Sequence, residues 1–451
     1  MDVNDLLEVS EPSRLIKSKY AYLVKTSSEK HIVYSVLSGA VLLFTQDDYI
    51  TRIVEIFENG AVDDAVDELI GVLKEKKILI NSNTNEDLFV RTLYEENIVR
   101  NRTLELTLIV TKQCNFRCTY CGQPFVNQSM KAETYEAVIN FVKRQLIEYG
   151  YRAVQVSFFG GEPLLEHKEI ITFLENLSEM IKEFDGIDYS ATMTTNAYLL
   201  IPSIFDKLVS LKCTHFQISV DGMDYTHNNT RVLVNGGETW NQIMNNIEYA
   251  TSTDSNFSIV LRTNFNFDVA DSLIEFYEYV KTRFNADERV VIYYETVKDH
   301  GIESAPEMLN ALEGMILSSE ISKILGEHKL PSMNVNRLCL PLSRVCYASK
   351  PNHFIFDEEN RIMKCTFVMD SDYNHIGLLN GDGSFDIDGE KHSKWVYNDY
   401  LNSDKCINCK ILPLCLGKTC PNQKIINGEI NCGNEILVSE IEESLVNYFS
   451  L

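Results

Sequence analysis

The sequence predicts an α/β protein organised around a parallel sheet, and three observations carry that expectation. Six apolar runs, LELTLIV (104–110), VQVSFFG (154–160), YSATMTT (189–195), FQISV (216–220), FSIVLRT (257–263) and VVIYYET (290–296), alternate with amphipathic stretches such as AETYEAVINFVKRQLIEYG (132–150). This is the pattern of successive βα units. The composition, 45% apolar and 24% charged, is that of a globular chain able to bury a large core. A length of 451 residues suggests about three domains at roughly 150 residues each. Six strands, each followed by a helix, fit an open sheet or a partial barrel. In either arrangement ligands collect at the C-terminal ends of the strands.

Ahead of these units, residues 1–100 read as a small module. YAYLVK (20–25) and HIVY (31–34) look like short strands joined by a polar SSEK turn. DDYITRIVEIF (47–57) is helical and is stopped by Asn59-Gly60. A second helix is expected over Val62–Leu73, where Val62, Val66, Leu69, Ile70 and Leu73 form one core-facing stripe, and ILIN (78–81) closes the unit as a strand. Strands, helices and a final strand suggest a winged-helix-like fold, while the acidity of its helices argues against a DNA role. Residues 297–338 read as a helical bridge. From Cys339 to Cys432 the chain turns loop-rich, with NGDGSFDIDGE (380–390) and short apolar stretches such as ILPL (411–414). Such a segment has little core of its own and needs staples or metals to fold.

The net charge of −24 argues against nucleic-acid and anionic-membrane partners, because phosphate-facing proteins carry a positive footprint. No apolar run approaches the ~20 residues of a membrane span, and the N-terminus (MDVNDLLEVSEPSR) has no signal-peptide pattern. A cytoplasmic location is expected. In that compartment the twelve cysteines are poor candidates for disulfides. They are also unevenly placed: none precedes Cys114, and eight fall between Cys339 and Cys432. Metal or cluster ligation explains such clustering better than scattered core thiols do. Cys213 precedes a strand and fits no ligand spacing, so it is expected to be a core thiol.

Cys114, Cys118 and Cys121 lie in TKQCNFRCTYCGQPF, directly after the first run of the alternation, with C-x3-C-x2-C spacing. Three thiolates on one short loop can hold three irons of a cubane and leave the fourth open to an outside ligand. A zinc knuckle is the alternative, but no fourth Cys or His lies at zinc-ligand spacing nearby.

This loop resembles the signature of the radical S-adenosylmethionine (radical SAM) superfamily, including the aromatic Tyr120 before the last cysteine. Further matches follow in order: Gly160-Gly161-Glu162-Pro163 at the second strand end, Thr195-Asn196 at the third and Ser219 in QISVDG at the fourth. HNNTR then follows, in which His227 and Arg231 resemble the family's HD-x-x-R, with Asn228 in place of the Asp. The resemblance covers roughly residues 104–300 and implies a partial (β/α)6 barrel within 101–335. It also implies a cluster on Cys114, Cys118 and Cys121, and S-adenosylmethionine bound by Tyr120, Gly160, Gly161, Glu162, Pro163, Asn196, Ser219 and Arg231. Glu162 would meet the methionine ammonium and Arg231, with Ser219, its carboxylate; Tyr120 would lie near the adenine. Reductive cleavage would then yield a 5′-deoxyadenosyl radical that takes hydrogen from substrate. His227 is expected to order its loop by hydrogen bonding.

The later cysteines resemble the SPASM extension of such enzymes, placed at 336–451. By that resemblance Cys339, Cys346, Cys365 and Cys420 would hold a nearer auxiliary [4Fe–4S] cluster and Cys406, Cys409, Cys415 and Cys432 an outer one, making three clusters in all. Two departures are visible: Asn360 stands where the family usually has Gly, and Cys415 to Cys420 is one residue longer than usual. The whole resembles maturases of ribosomally made peptides, whose N-terminal winged-helix-like domain recognises a leader. The expected partners are a ribosomal precursor peptide and a low-potential donor such as flavodoxin or ferredoxin. The expected product is a crosslink, a thioether first, with carbon–carbon crosslinking or epimerisation as alternatives. A sulfatase-maturating enzyme is the other reading. Thr366 after Cys365, where those enzymes resemble one another in a Cys-Asp pair, counts against it, as do the hundred or so residues before the cluster loop. Outside enzymes, an electron-transfer or peptide-binding iron–sulfur protein is conceivable.

Overall fold

The computed structural model describes residues 14–296 and 340–428 apart from 27–29, 63–66, 124, 266–271, 398–402 and 418–419, with isolated positions at 317, 321, 438, 441, 442, 445 and 446. Compactness groups the chain into two units that cut across chain order. One joins residues 1–101, 334–351 and 394–451; the other joins 102–333 and 352–393.

The first unit carries strands β1 (Leu15–Lys17), β2 (Ala21–Lys25), β3 (His31–Ser35), β4 (Val41–Phe44), β5 (Ala61–Val62) and β6 (Leu79–Asn81), and helices α1 (Asp47–Asn59), α2 (Glu68–Glu75) and α3 (Glu86–Tyr94). They form two three-stranded sheets, β5-β1-β6 and β2-β3-β4. Helix α1 ends as its sequence suggests: Gly60 takes a left-handed φ of 69° and its N–H bonds the carbonyl of Ile56. Helix α2 begins later than its apolar stripe does. Val62 is drawn into β5 opposite Leu15, and the Asp67 side chain caps the helix by accepting from the Leu69 N–H at 2.8 Å. Val66 lies outside the described residues, while Leu69, Ile70 and Leu73 are buried with Leu15, Val33, Ile53 and Ile56. Strand β1, only three residues long, offers no periodicity to read.

Strands β2 and β3 are covered on both faces. Ala21 and Val33 join the core beneath α1 and α2. Tyr20, Tyr22, Val24, Ile32 and Tyr34 enter a second core with Phe89 and Val90 of α3 and with Ile411, Leu412, Leu414 and Leu416 from the cysteine-rich segment.

The second unit holds β7 (Thr103–Thr111), β8 (Phe116–Cys118), β9 (Ala153–Gly160), β10 (Asp188–Thr195), β11 (Cys213–Ser219), β12 (Arg231–Leu233), β13 (Ser258–Phe265), β14 (Val290–Thr296), β15 (His353–Phe356), β16 (Arg361–Met363), β17 (His375–Leu379) and β18 (Phe385–Ile387). One ten-stranded sheet runs β14-β13-β11-β10-β9-β7-β15-β16-β17-β18. Its six parallel strands from β7 to β14 are the six apolar runs, in chain order and mutually in register, so the parallel half forms the expected partial barrel. Beyond β7 the sheet continues through β15, parallel to it, and three antiparallel strands drawn from 361–387. In β9 alternate residues Val154, Val156 and Phe158 are buried. Phe158 meets Phe173 of the helix His167–Ile181 edge to face at 6.1 Å.

Asn360, which replaces a family glycine, occupies the turn between β15 and β16 with a φ of 61°. Asn is among the few residues that tolerate this left-handed region. Its side-chain oxygen also accepts a 2.7 Å bond from the Thr134 hydroxyl. The departure from glycine thus keeps the backbone conformation and adds an anchor.

Candidate active site

The segments singled out in the sequence meet at the C-terminal ends of β7, β9, β10 and β11. Leaving β7 at Thr111, the chain enters the loop bearing Cys114, Cys118 and Cys121. Within that loop β8 pairs with β12, which places Arg231 directly opposite Cys118. Two further backbone bonds extend this clamp, Thr119 N–H to Thr230 O at 2.9 Å and Val234 N–H to Asn115 O at 2.8 Å. The Arg117 guanidinium donates to the carbonyls of Cys114 and Phe116 at 2.8 and 2.7 Å. It also lies 4.0 Å from the Phe125 ring centre.

Gly160 and Gly161 are required by what lies against them. Gly160 has a φ of +136°, and a Cβ on it would fall 2.3 Å from the carbonyl oxygen of Thr111; one on Gly161 would fall 2.1 Å from that of Gln113. The close approach lets Gly161 N–H and Glu162 N–H bond those same two carbonyls at 2.9 and 2.8 Å. Glu162, 1% exposed, then precedes Pro163, which opens a short 3₁₀ turn. One carboxylate oxygen accepts from Leu164 N–H at 2.9 Å and the Thr195 hydroxyl at 2.6 Å; the other accepts from Asn196 N–H at 2.7 Å. Burial raises this carboxyl's pKa, opposed by those three donors. A carboxylate has about four acceptor positions, so capacity for one more donor remains. Asn196 bonds the Asn115 side chain at 2.8 Å and approaches the Cys114 sulfur at 3.9 Å.

Ser219 ends β11 opposite Arg262 of β13. Two residues later Asp221, wholly buried, accepts from the Tyr120 hydroxyl at 2.6 Å. That hydroxyl in turn accepts from Arg231 at 2.6 Å. Asp221 and its partner Asn264 were not singled out in the sequence. The only signal for Asp221 was its place just after Ser219 in QISVDG. His227 behaves as expected of a loop-ordering residue: Nδ1 accepts from the Asp221 N–H at 3.1 Å, so Nε2 carries the proton and meets the Thr239 hydroxyl at 3.0 Å. Burial and then the Arg231 charge hold its pKa well below the usual imidazole range. Asn228 accepts from the N–H groups of Thr239 and Trp240 at 3.0 and 3.1 Å. It thereby caps the helix Trp240–Ser252 with an amide oxygen, a role open to Asn and Asp alike.

Burial also raises the thiols of the loop, Cys114 to about 12 and Cys118 to about 11, with Arg231 opposing the shift in both. Thiolates in this setting call for a positive partner beyond one guanidinium, and metal coordination deprotonates a thiol outright. Arg231 is itself 7% exposed, and its Nε is buried without a hydrogen-bond partner. The donor set therefore fits an iron–sulfur cluster with a carboxylate-bearing ligand beside it. Among the described residues no three His, Cys, Asp or Glu side chains are grouped as ligands of a single metal ion.

Elsewhere, Cys213 is buried at the start of β11, where burial raises its thiol pKa. Cys365 is buried in the second unit. Cys346, Cys406, Cys409, Cys415 and Cys420 belong to the first unit, ranging from buried Cys406 to exposed Cys420. Cys339 and Cys432 lie outside the described residues.

Residues 108–280 match the family model of the Radical SAM superfamily. The radical SAM cyclopropyl synthase TigE of Paramaledivibacter caminithermalis is 23% identical over 92% of this chain and 88% of its own length. GTP 3′,8-cyclase of Staphylococcus aureus is 27% identical over 46% of this chain and 61% of its own. Among solved structures, anSMEcpe with bound AdoMet and Cp18Cys peptide superposes with a TM-score of 0.57 at 17% identity, covering 77% of this chain and 97% of that one. Residues 108–280 thus form a radical SAM domain, of the kind that works with a [4Fe–4S] cluster and S-adenosylmethionine, and the chain is an enzyme built on that domain. Among the described residues no helix is long and apolar enough to cross a membrane.

Proposed function

We propose that this enzyme is a maturase of ribosomally made peptides that installs a crosslink, a thioether first among the candidates. One observation carries the peptide reading. In the first unit, β4 stands at the edge of its sheet among the described residues, beside a groove of about 320 Å³ in which Leu42, Phe44, Leu69 and Val72 are mixed with Thr45, Gln46 and Glu68. A sheet edge next to a groove of mixed polar and apolar lining suits a leader that adds as an extra strand, with the groove taking alternate side chains. The anSMEcpe structure, whose fold this chain shares, holds a bound peptide.

In this reading Cys114, Cys118 and Cys121 hold the cluster, Glu162 receives the methionine ammonium of S-adenosylmethionine, and Arg231 with Ser219 receives its carboxylate. When bound, the cluster and S-adenosylmethionine supply a 5′-deoxyadenosyl radical; the barrel positions the target C–H and excludes water. The eight cysteines from Cys339 to Cys432 are proposed to hold two auxiliary clusters, dividing the chain functionally into leader recognition (1–100), radical generation (101–335) and auxiliary clusters (336–451).

Carbon–carbon bond formation is the second reading, favoured by the relative that aligns along most of the chain, a cyclopropyl synthase. A sulfatase-maturating role is disfavoured by Thr366 beside Cys365.

The test is anaerobic reaction of the reconstituted enzyme with S-adenosylmethionine and a small peptide encoded beside its gene. The expected outcome is 5′-deoxyadenosine, lost in Cys114→Ala, together with a peptide lighter by a pair of hydrogens per crosslink. Fragmentation then separates a thioether from a carbon–carbon bond. Cleavage without any peptide product, for every peptide encoded nearby, overturns the maturase reading. Replacing Val72 with Glu in the groove should weaken peptide binding and leave S-adenosylmethionine cleavage intact.

A further inference from the structure

We propose that Asp221 is a positioning residue for S-adenosylmethionine: acting through the Tyr120 hydroxyl, it fixes the Arg231 guanidinium in the orientation that receives the methionine carboxylate. The proposal rests on the role given to Arg231 above and extends it to the two residues that stand behind its guanidinium, Tyr120 and Asp221.

A phenol has one proton to donate and can accept two bonds. Tyr120 uses all of this capacity inside the protein. It donates to Asp221 Oδ2 at 2.6 Å and accepts from Arg231 at 2.6 Å and from the Asn264 side chain at 3.2 Å. Asp221 is held from both oxygens: Oδ1 accepts from the Asn264 N–H, and the Thr230 hydroxyl stands beside Oδ2, both at 3.2 Å. Fully buried, it reaches Arg231 through the Tyr120 hydroxyl, which stands between the two charges.

Arg231 is the incomplete member. One arm of its guanidinium is held by Tyr120 and its cation lies 5.8 Å from the Phe116 ring centre, while Nε is buried and unpaired. A carboxylate set directly against the guanidinium would occupy the planar fork that a bound carboxylate needs. Placing a phenol between the two charges holds the cation by one arm, compensates it electrostatically, and keeps the rest of the fork available. Because Tyr120 stands between Cys118 and Cys121, and Arg231 pairs with Cys118 across β8 and β12, the same relay couples the cluster loop to the carboxylate site.

The test compares binding of S-adenosylmethionine with binding of its decarboxylated analogue, which lacks the group Arg231 receives. Both are measured anaerobically on the cluster-loaded full chain, with affinities expressed per loaded cluster. Asp221→Asn and Tyr120→Phe should each weaken S-adenosylmethionine binding about tenfold, the scale of one charge-assisted hydrogen bond, and change binding of the analogue less than twofold. Asp221→Glu, which keeps the charge, should recover part of the loss. Tyr120→Phe combined with Arg231→Gln should bind no more weakly than Arg231→Gln alone, because both act on one contact. Equal losses for both ligands would assign the network a purely structural role and overturn the proposal, as would no loss for either. If Asp221→Asn fails to load its cluster, Tyr120→Phe, which leaves the carboxylate in place, decides the question. If Arg231→Gln does not discriminate between the ligands, the role of Arg231 itself falls and the relay with it. No precursor peptide enters these measurements, so the maturase reading stands or falls separately.

Discussion

The loop from Cys114 to Cys121 and the segment from Cys406 to Leu416 both carry closely spaced cysteines, yet they are held by different forces. The first is tied by directed bonds: carbonyls of Thr111 and Gln113 receive N–H groups from Gly161 and Glu162, and β8 pairs with β12. The second is held mainly by burial, with Leu414 and Leu416 fully enclosed among the aromatic residues of β2 and β3. Only two backbone bonds, from the Leu342 and Arg344 N–H groups to the carbonyls of Pro413 and Leu414, are seen to tie it to distant sequence among the described residues. Directed bonds set positions to fractions of an ångström, as a ligand site requires. Burial is less directional and lets a segment with little core of its own share one supplied by distant sequence.

Substitutions at four positions probe this contrast. Gly161→Ala should have the largest effect, since its Cβ would fall 2.1 Å from the Gln113 carbonyl. S-adenosylmethionine cleavage should drop at least about a hundredfold, as misplaced reacting groups do, measured as 5′-deoxyadenosine formed. Wild-type turnover would show that backbone contact does not position the loop.

Leu414→Ala empties a buried position and should cost about 3 kcal/mol by denaturant unfolding of the first unit. It should also lower total iron while S-adenosylmethionine cleavage persists. If cleavage falls in step with stability, the two regions are not held independently.

Asn360→Ala removes both the left-handed tolerance and the Thr134 bond and should destabilise by about 1–2 kcal/mol. Asn360→Gly, which restores the backbone freedom, should cost less, and equal losses would count against the conformational argument.

The smallest effect is expected from pH. Since His227 stays neutral when folded, the unfolded chain takes up a proton below about pH 6.5 that the folded chain refuses, and stability falls as pH drops through that value. His227→Gln can accept from Asp221 N–H and donate to Thr239 without titrating. It should flatten the difference in thermal unfolding between pH 7.5 and pH 5.5.

Much of the second unit was legible because its parallel strands carry regularly placed buried apolar residues, alternate ones in β9 and β10. The cysteine loop was legible from its spacing, and the residues at the other strand ends through their resemblance to radical SAM motifs. Asp221 escaped because its importance comes from what surrounds it, a phenol 101 positions earlier and an amide beyond it. The start of α2 was misplaced because Val62 suits a helix stripe and a strand equally well, and only its partner Leu15 decides between them.

By itself the sequence determined the parallel alternation of strands and helices and the cysteine loop, because these depend on local periodicity and spacing, while the companion motifs were legible through their family resemblance. Tertiary structure alone decided that 353–387 extends the barrel sheet past β7, that the cysteines near 406–416 share a core with β2 and β3, and that a buried aspartate reaches Arg231 through Tyr120. Contacts of this kind join residues far apart in the chain, and no local pattern records which surfaces will meet.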